Sequence, residues 1–528
     1  MVTPLHPIDF SCFCRVRVRV ALLLGLALFL LPLSTLAAPV SAQIPLDSWV
    51  YPALDKLAGS GLIDSVLAGT RPYSRIEAGR QIQEARQQAE RAPLPLAISE
   101  LLAQLEEEFA EQLVELHGRS GEAPESYIKP LRHLEISSLY RHGDDSMIGG
   151  SNISARQFSL DVNNSGRDYP QNSTTQLLLT TEARFGGFLL LEASPVLLFA
   201  KGEESEVRLE EGRAALEMGY VEFSVGRQSL WWGQGRHGSL ILSNNAKPLD
   251  MLRLTTPVPV LLPWAFKYFG PFRFDLFLSK LEKERPIPGP YLSGLRLNFK
   301  PLPWVEFGAS RTIIFGGQGR PHIGLSDFAT ILSGRNLNGG EDTSDSLAAL
   351  DASIRLPFIY GAQIYGEFGG EDEAGHFIAK AATLYGLYLP KIDATGRGSL
   401  RVEYADLSGS RNHPSPWYRH SLYRSGYTYE GKILGHHVGG SAKDLFVEVT
   451  ILLPSDLTLN LNLDLERRGY DQVVKEEHLQ PGLELNWLIG QNTRLEFLYR
   501  FDRIHNLNFV QNNDQNQHFS SVGIASDW

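Results

Sequence analysis

The chain is almost without cysteine. Only Cys12 and Cys14 carry a thiol, and both stand ahead of an N-terminal apolar run. Arg15, Arg17 and Arg19 precede the run Val20 to Leu33, and Val40-Ser41-Ala42 offers small residues before Gln43. That order reads as a cleaved export signal over residues 1–42, since the apolar run is shorter than the roughly 20 residues of a spanning helix. Both cysteines leave with the signal, which excludes disulfides, thiolate metal sites and cysteine nucleophiles from the mature chain. Positive charge is also scarce. Three Arg and one Asp depart with the signal, so the net charge moves from −11 to −13. That balance argues against nucleic acid as a partner. Long hydrophobic runs are missing beyond the signal, although 43% of residues are hydrophobic. The apolar residues must therefore be spread along the chain in a pattern.

That pattern has period two. From Leu457 to Glu466 every odd position is Leu and every even one is polar, and Leu495 to Asp502 nearly repeats it. Such alternation puts one face of a strand in oil and the other in water. Repeated to an aromatic terminus at Trp528, it specifies an all-β transmembrane β-barrel of about 18 antiparallel strands over 131–528. Nineteen segments fit the pattern, among them 132–141, 155–163, 175–185, 445–453, 457–466, 493–503 and 519–528. An even strand number is expected, so one of them is surplus, and 132–264 is where the pattern is weakest. Connections alternate long and short. The segments 504–518, 467–482 and 406–444 are long, whereas 490–492 and 454–456 are short. Periplasmic turns are the short ones, so Trp528 belongs to the periplasmic end.

Residues 43–117 have helical spacing instead, as a small α-helical bundle on the periplasmic side. Ser74-Arg75-Ile76-Glu77 is a capping box. A third helix carries Ile98, Leu102, Leu105, Phe109 and Leu116 as its stripe. Residues 118–130 read as a linker.

Two segments concentrate aromatic, amide and cationic groups. One contains Trp231, Trp232, Arg236, His237, Asn244 and Asn245. The other contains Trp417, Tyr418, Arg419, Tyr423, Arg424, Tyr427 and Tyr429. Flat rings stack on sugar faces, and Arg and Asn donate to hydroxyls and carboxylates, so these thirteen residues are the candidate glycan-binding set. The same residues could instead plug the lumen. His436 and His437, with His420, invite a metal reading. Adjacent histidines on a strand point to opposite faces and no carboxylate stands at ligand spacing, so no metal or cofactor is expected. No short motif marks a nucleophile, so no enzyme is expected.

The chain resembles the capsule-assembly (Wzi) family of outer-membrane proteins. The resemblance rests on Leu46 to Tyr51, Gly69 to Arg75, Gly226-Arg227-Gln228 with Trp231-Trp232-Gly233, Leu240 to Pro248, Glu403 to Asp406, and Tyr423 to Tyr429 with Gly435-His436. It implies an 18-stranded barrel with a periplasmic helical bundle. It also implies attachment of capsular or related surface polysaccharide to the cell, with no known catalysis. The expected partners are that polysaccharide, outer-membrane lipid and periplasmic envelope proteins, with the barrel a monomer. Thr70 to Glu77 also resembles the helical repeat of S-layer homology domains. That leaves a diffusion porin tethered to the cell wall through its N-terminal helices as the alternative.

Overall fold

The computed structural model describes residues 39–528 apart from 118–125, 149–154, 203–204, 322–343, 372–379, 410–416 and 491. The expected signal as far as residue 38, most of the expected linker, and much of the loop 316–345 lie outside the described residues. Eighteen antiparallel strands close into a barrel. The strand Tyr127–His142 begins inside the expected linker and meets the final strand Gln515–Asp527, with His133 opposite Asp527 and His142 opposite His518. The surplus segment is 155–163. It supplies only the two-residue strand Arg156–Gln157, paired with Ser146–Met147. Phe158 and Leu160 turn inward onto Tyr169 and Phe519. Its alternation serves packing inside the barrel, which period two alone does not distinguish from a wall strand.

The wall obeys its pattern. In the strand Leu457–Arg468, Leu461 and Leu465 are exposed on the outer face, while Asp464 and Glu466 are buried on the inner one. Trp304, Trp487, Tyr268 and Tyr360 are exposed at the end that carries the short turns, a belt suited to a membrane interface. Asp527 N–H donates to Asn492 O (3.0 Å), so the terminus and the turn 490–492 share that end. No described helix is long and apolar enough to cross a membrane.

Among the described residues, four α-helices lie at this end: α1 Val50–Gly59, α2 Arg75–Ala89, α3 Leu96–Glu108 and α4 Ala110–His117. Ser74 caps α2 by accepting the Glu77 N–H (3.2 Å). Glu77 does not complete the box; its carboxylate takes Arg80 (2.7 Å) and Gln81 (2.8 Å). The expected third helix breaks at Phe109, which is fully buried beneath the Arg75 guanidinium, 4.5 Å from its ring centre. The helices bury their apolar stripes in one cluster. They also grip the barrel's turns. Lys56 Nζ donates to Pro390 O (3.0 Å) and Arg397 O (3.3 Å), Gln104 Nε2 to Asp456 (2.6 Å), and Arg494 pairs with Glu108 (3.2 Å). The bundle therefore lies across the periplasmic mouth.

Candidate functional site

The lumen is filled by the chain itself. From the N-terminal side, Thr70–Arg71 pairs antiparallel with Trp231–Trp232 of the outer segment 229–248. Trp232 N–H donates to Leu242 O (3.0 Å), and Ser243 N–H to Leu434 O (2.9 Å), which ties that segment to the second one, 417–441. These small ladders satisfy backbone groups that the wall strands cannot reach. Gly233, at φ 147°, allows the sharp turn, and a Cβ there would strike the Glu367 carboxylate.

Wall carboxylates hold the plug by its amides. Glu306 accepts from Ala68 and Gly69 N–H (2.9 Å each) and from Gln234 Nε2 (3.1 Å). Glu367 accepts from Gly235 N–H (2.9 Å) and Leu240 N–H (2.8 Å). Glu403 accepts from Arg236 N–H (2.8 Å), His237 N–H (3.0 Å) and Tyr365 Oη (2.6 Å). Asp55 of α1 completes the frame, contacting Arg236 (2.8 Å), Arg71 (3.3 Å) and Arg401 (3.3 Å). Burial alone would raise the Asp55 carboxyl, but Arg236, Arg71 and Arg401 hold it well below the usual carboxylate range.

Most of the thirteen candidate residues build this plug. Trp232, Asn245, Trp417, Tyr418, Tyr423 and Tyr427 are at most 2% exposed. Trp232 packs on Phe277 at 5.3 Å between ring centres, and Tyr418 stacks on Tyr427 at 5.6 Å. Tyr418 Oη donates to Leu240 O (2.6 Å), and Asn245 Nδ2 to Ile433 O (3.0 Å). Tyr429 is buried in the same cluster. Their faces are covered by protein, and no ring face remains for a sugar. Arg419 pairs with Asp471 (3.0 Å), and Arg424 is exposed on the outer surface. Trp231, Arg236, His237 and Asn244 do converge. They line a polar chamber of about 290 Å³ together with Arg401, Glu448, Glu484 and Arg500 of the wall.

The histidine reading needs correction. His436 and His437 sit in a turn, not a strand, and their rings stack 4.7 Å apart instead of facing opposite ways. Burial, then the neighbouring imidazoles, keeps both well below the ordinary histidine value, hence neutral. The carboxylates that meet them, Asp444 beside both rings and Glu466 beside His437, come from two different wall strands. Local sequence spacing carries no sign of that meeting.

Fold and lumen together define a class: an outer-membrane barrel closed by its own chain. Within that class the chain belongs to the capsule assembly protein Wzi family, whose model matches residues 145–519. An uncharacterized 55.8 kDa protein in the cps region of Klebsiella pneumoniae is 31% identical over 159 residues; the match spans 29% of this chain and 31% of that relative. A solved Escherichia coli structure is described as Wzi, an outer-membrane protein involved in group 1 capsule assembly and a carbohydrate-binding β-barrel. It superposes with a TM-score of 0.69 at 19% identity, covering 94% of this chain and 100% of that one. OprD of Pseudomonas aeruginosa reaches a TM-score of 0.43 at 12% identity, covering 77% and 98%.

Proposed function

We propose that this protein sits in the outer membrane of a Gram-negative cell, binds capsular or related surface polysaccharide on its outer face, and helps attach or assemble that polymer there without catalysis. The observation that carries this reading is the plugged lumen. A water-filled diffusion channel could not keep Trp232, Leu240, Tyr418 and Tyr427 dry against wall residues such as Phe277, Leu292 and Leu384. That core disfavours the tethered porin and leaves the barrel as a platform for its outer loops. Membership of a capsule assembly family and the carbohydrate binding ascribed to the E. coli barrel support a glycan as the partner.

The plug residues act in this reading by fixing the loops from below. The exposed Arg424 is the member of the candidate set placed to meet an acidic polymer directly. The test is conductance of the purified barrel in planar bilayers, with binding of the cell's own surface polysaccharide measured on the same preparation. A silent barrel that binds polymer is the expected result. A steady channel indifferent to polymer would return the porin.

A further inference from the structure

Four side chains from four separate segments converge at the edge of the polar chamber. His237 comes from the lumen segment 229–248, and His437 from the lumen segment 417–441. Asp444 comes from the strand Ala442–Leu453, and Asp464 from the strand Leu457–Arg468. One donor atom from each lies within 4.8 Å of all the others. His237 Nε2 is 2.9 Å from Asp464 Oδ2 and 3.6 Å from Asp444 Oδ2, and His437 Nε2 is 3.5 Å from Asp444 Oδ2. Ligands about 2.0–2.2 Å from a tetrahedral ion stand roughly 3.3–3.6 Å apart, the spacing of the two imidazoles from Asp444; the shorter His237–Asp464 contact is a hydrogen bond that a bound ion would replace.

A second observation points the same way. His437 and Asp444 are buried, and from outside this carboxylate–imidazole cluster no hydrogen bond reaches either ring nitrogen of His437 or either carboxylate oxygen of Asp444. Groups buried in that state are costly unless something pairs them. Among the described residues, the side chains that face the Asp444 and Asp464 carboxylates as basic neighbours are histidines, with no Lys or Arg ion pair to either. Glu466 Oε1 lies 3.3 Å from His437 Nε2 as a further neighbour, while its other oxygen, Oε2, meets Arg468.

We propose that His237, His437, Asp444 and Asp464 bind one divalent first-row transition ion, Zn²⁺ by default, which staples both lumen segments to the wall. Two carboxylates neutralise the ion's charge, and two imidazoles favour zinc-like metals over Ca²⁺ or Mg²⁺, which take oxygen ligands. The geometry thus gives His237 to a metal rather than to a glycan. His237 lines the chamber, which supplies a route of entry for the ion.

The test uses full-length protein without a histidine tag, extracted from outer membranes in mild detergent. Elemental analysis should find about one Zn²⁺ per chain, falling at least about tenfold in His437→Ala and Asp444→Asn. Chelating the wild type should speed proteolysis within 229–248 and lower its melting temperature, and Zn²⁺ alone should reverse both; that arm requires no variant to fold. Wild-type protein without bound transition metal and without response to added Zn²⁺ overturns the proposal. Metal retained at full stoichiometry in both variants overturns the assignment of these ligands.

Discussion

The wall and the plug of this barrel are built on opposite principles. The wall is held by backbone ladders, mostly between strands a hairpin apart, with the first strand closing on the last. The plug is held by side chains reaching across long separations: Glu306 to Gly69, Glu367 to Gly235, and Arg236 to Asp55. Ladder bonds persist whatever side chain is present, so the wall tolerates substitution as long as its two faces keep their chemistry. Each carboxylate in the plug serves several donors at once, so single changes there release whole segments. A barrel can therefore keep its wall and lose its closure.

Glu367→Ala should break that symmetry most sharply. It strands the buried amides of Gly235 and Leu240, at about 1–3 kcal/mol per group. The variant should still migrate as a heat-modifiable barrel on gels, while protease cuts within 229–248 and conductance appears. Unchanged protection would show that the glutamate is dispensable to closure. Trp232→Ala comes next. The ring is 1% exposed and packed on Phe277, and its loss should cost about 3–5 kcal/mol, again in the plug; failure of the whole barrel to insert would count against the separation. Leu461→Arg is the converse experiment. It places a charge on the outer face where Leu461 is 43% exposed and should destabilise insertion by about 2–4 kcal/mol near the midplane; equal stability of mutant and wild type in a bilayer refolding titration would remove that residue from the lipid face. Arg424→Glu should do least to folding, within about 0.5 kcal/mol, yet weaken binding of an acidic polysaccharide severalfold and more so at low salt. Unaltered affinity would move the glycan contact elsewhere on the outer loops.

The same contrast explains what could be read from the sequence. Alternation reports burial of one face, so the wall, its orientation and the terminal pairing were legible in residues such as Leu457 to Glu466. Alternation does not report which body buries that face, which is why 155–163 passed for a wall strand while Phe158 and Leu160 pack in the lumen. The Ser74 cap was legible because the cap lies within three residues; the Phe109 break was not, because Arg75 imposes it from another helix. For the candidate site, residue type marked the two segments that fold into the lumen, Trp231-Trp232 and Trp417 to Tyr429. Type could not tell a ring that stacks on sugar from one that stacks on Tyr427. The His437–Asp444 and His237–Asp464 contacts were beyond reach, because closing the barrel and folding the loops into it are what bring them together.

The central claim is that this barrel is a closed platform for a surface polymer, and single-channel recording of the purified wild type beside Glu367→Ala tests it most directly. The account predicts a silent wild type that binds its own cell's polysaccharide, with channel events only in the variant. A wild type that conducts steadily, as strongly as the variant and unaffected by polymer, would contradict it.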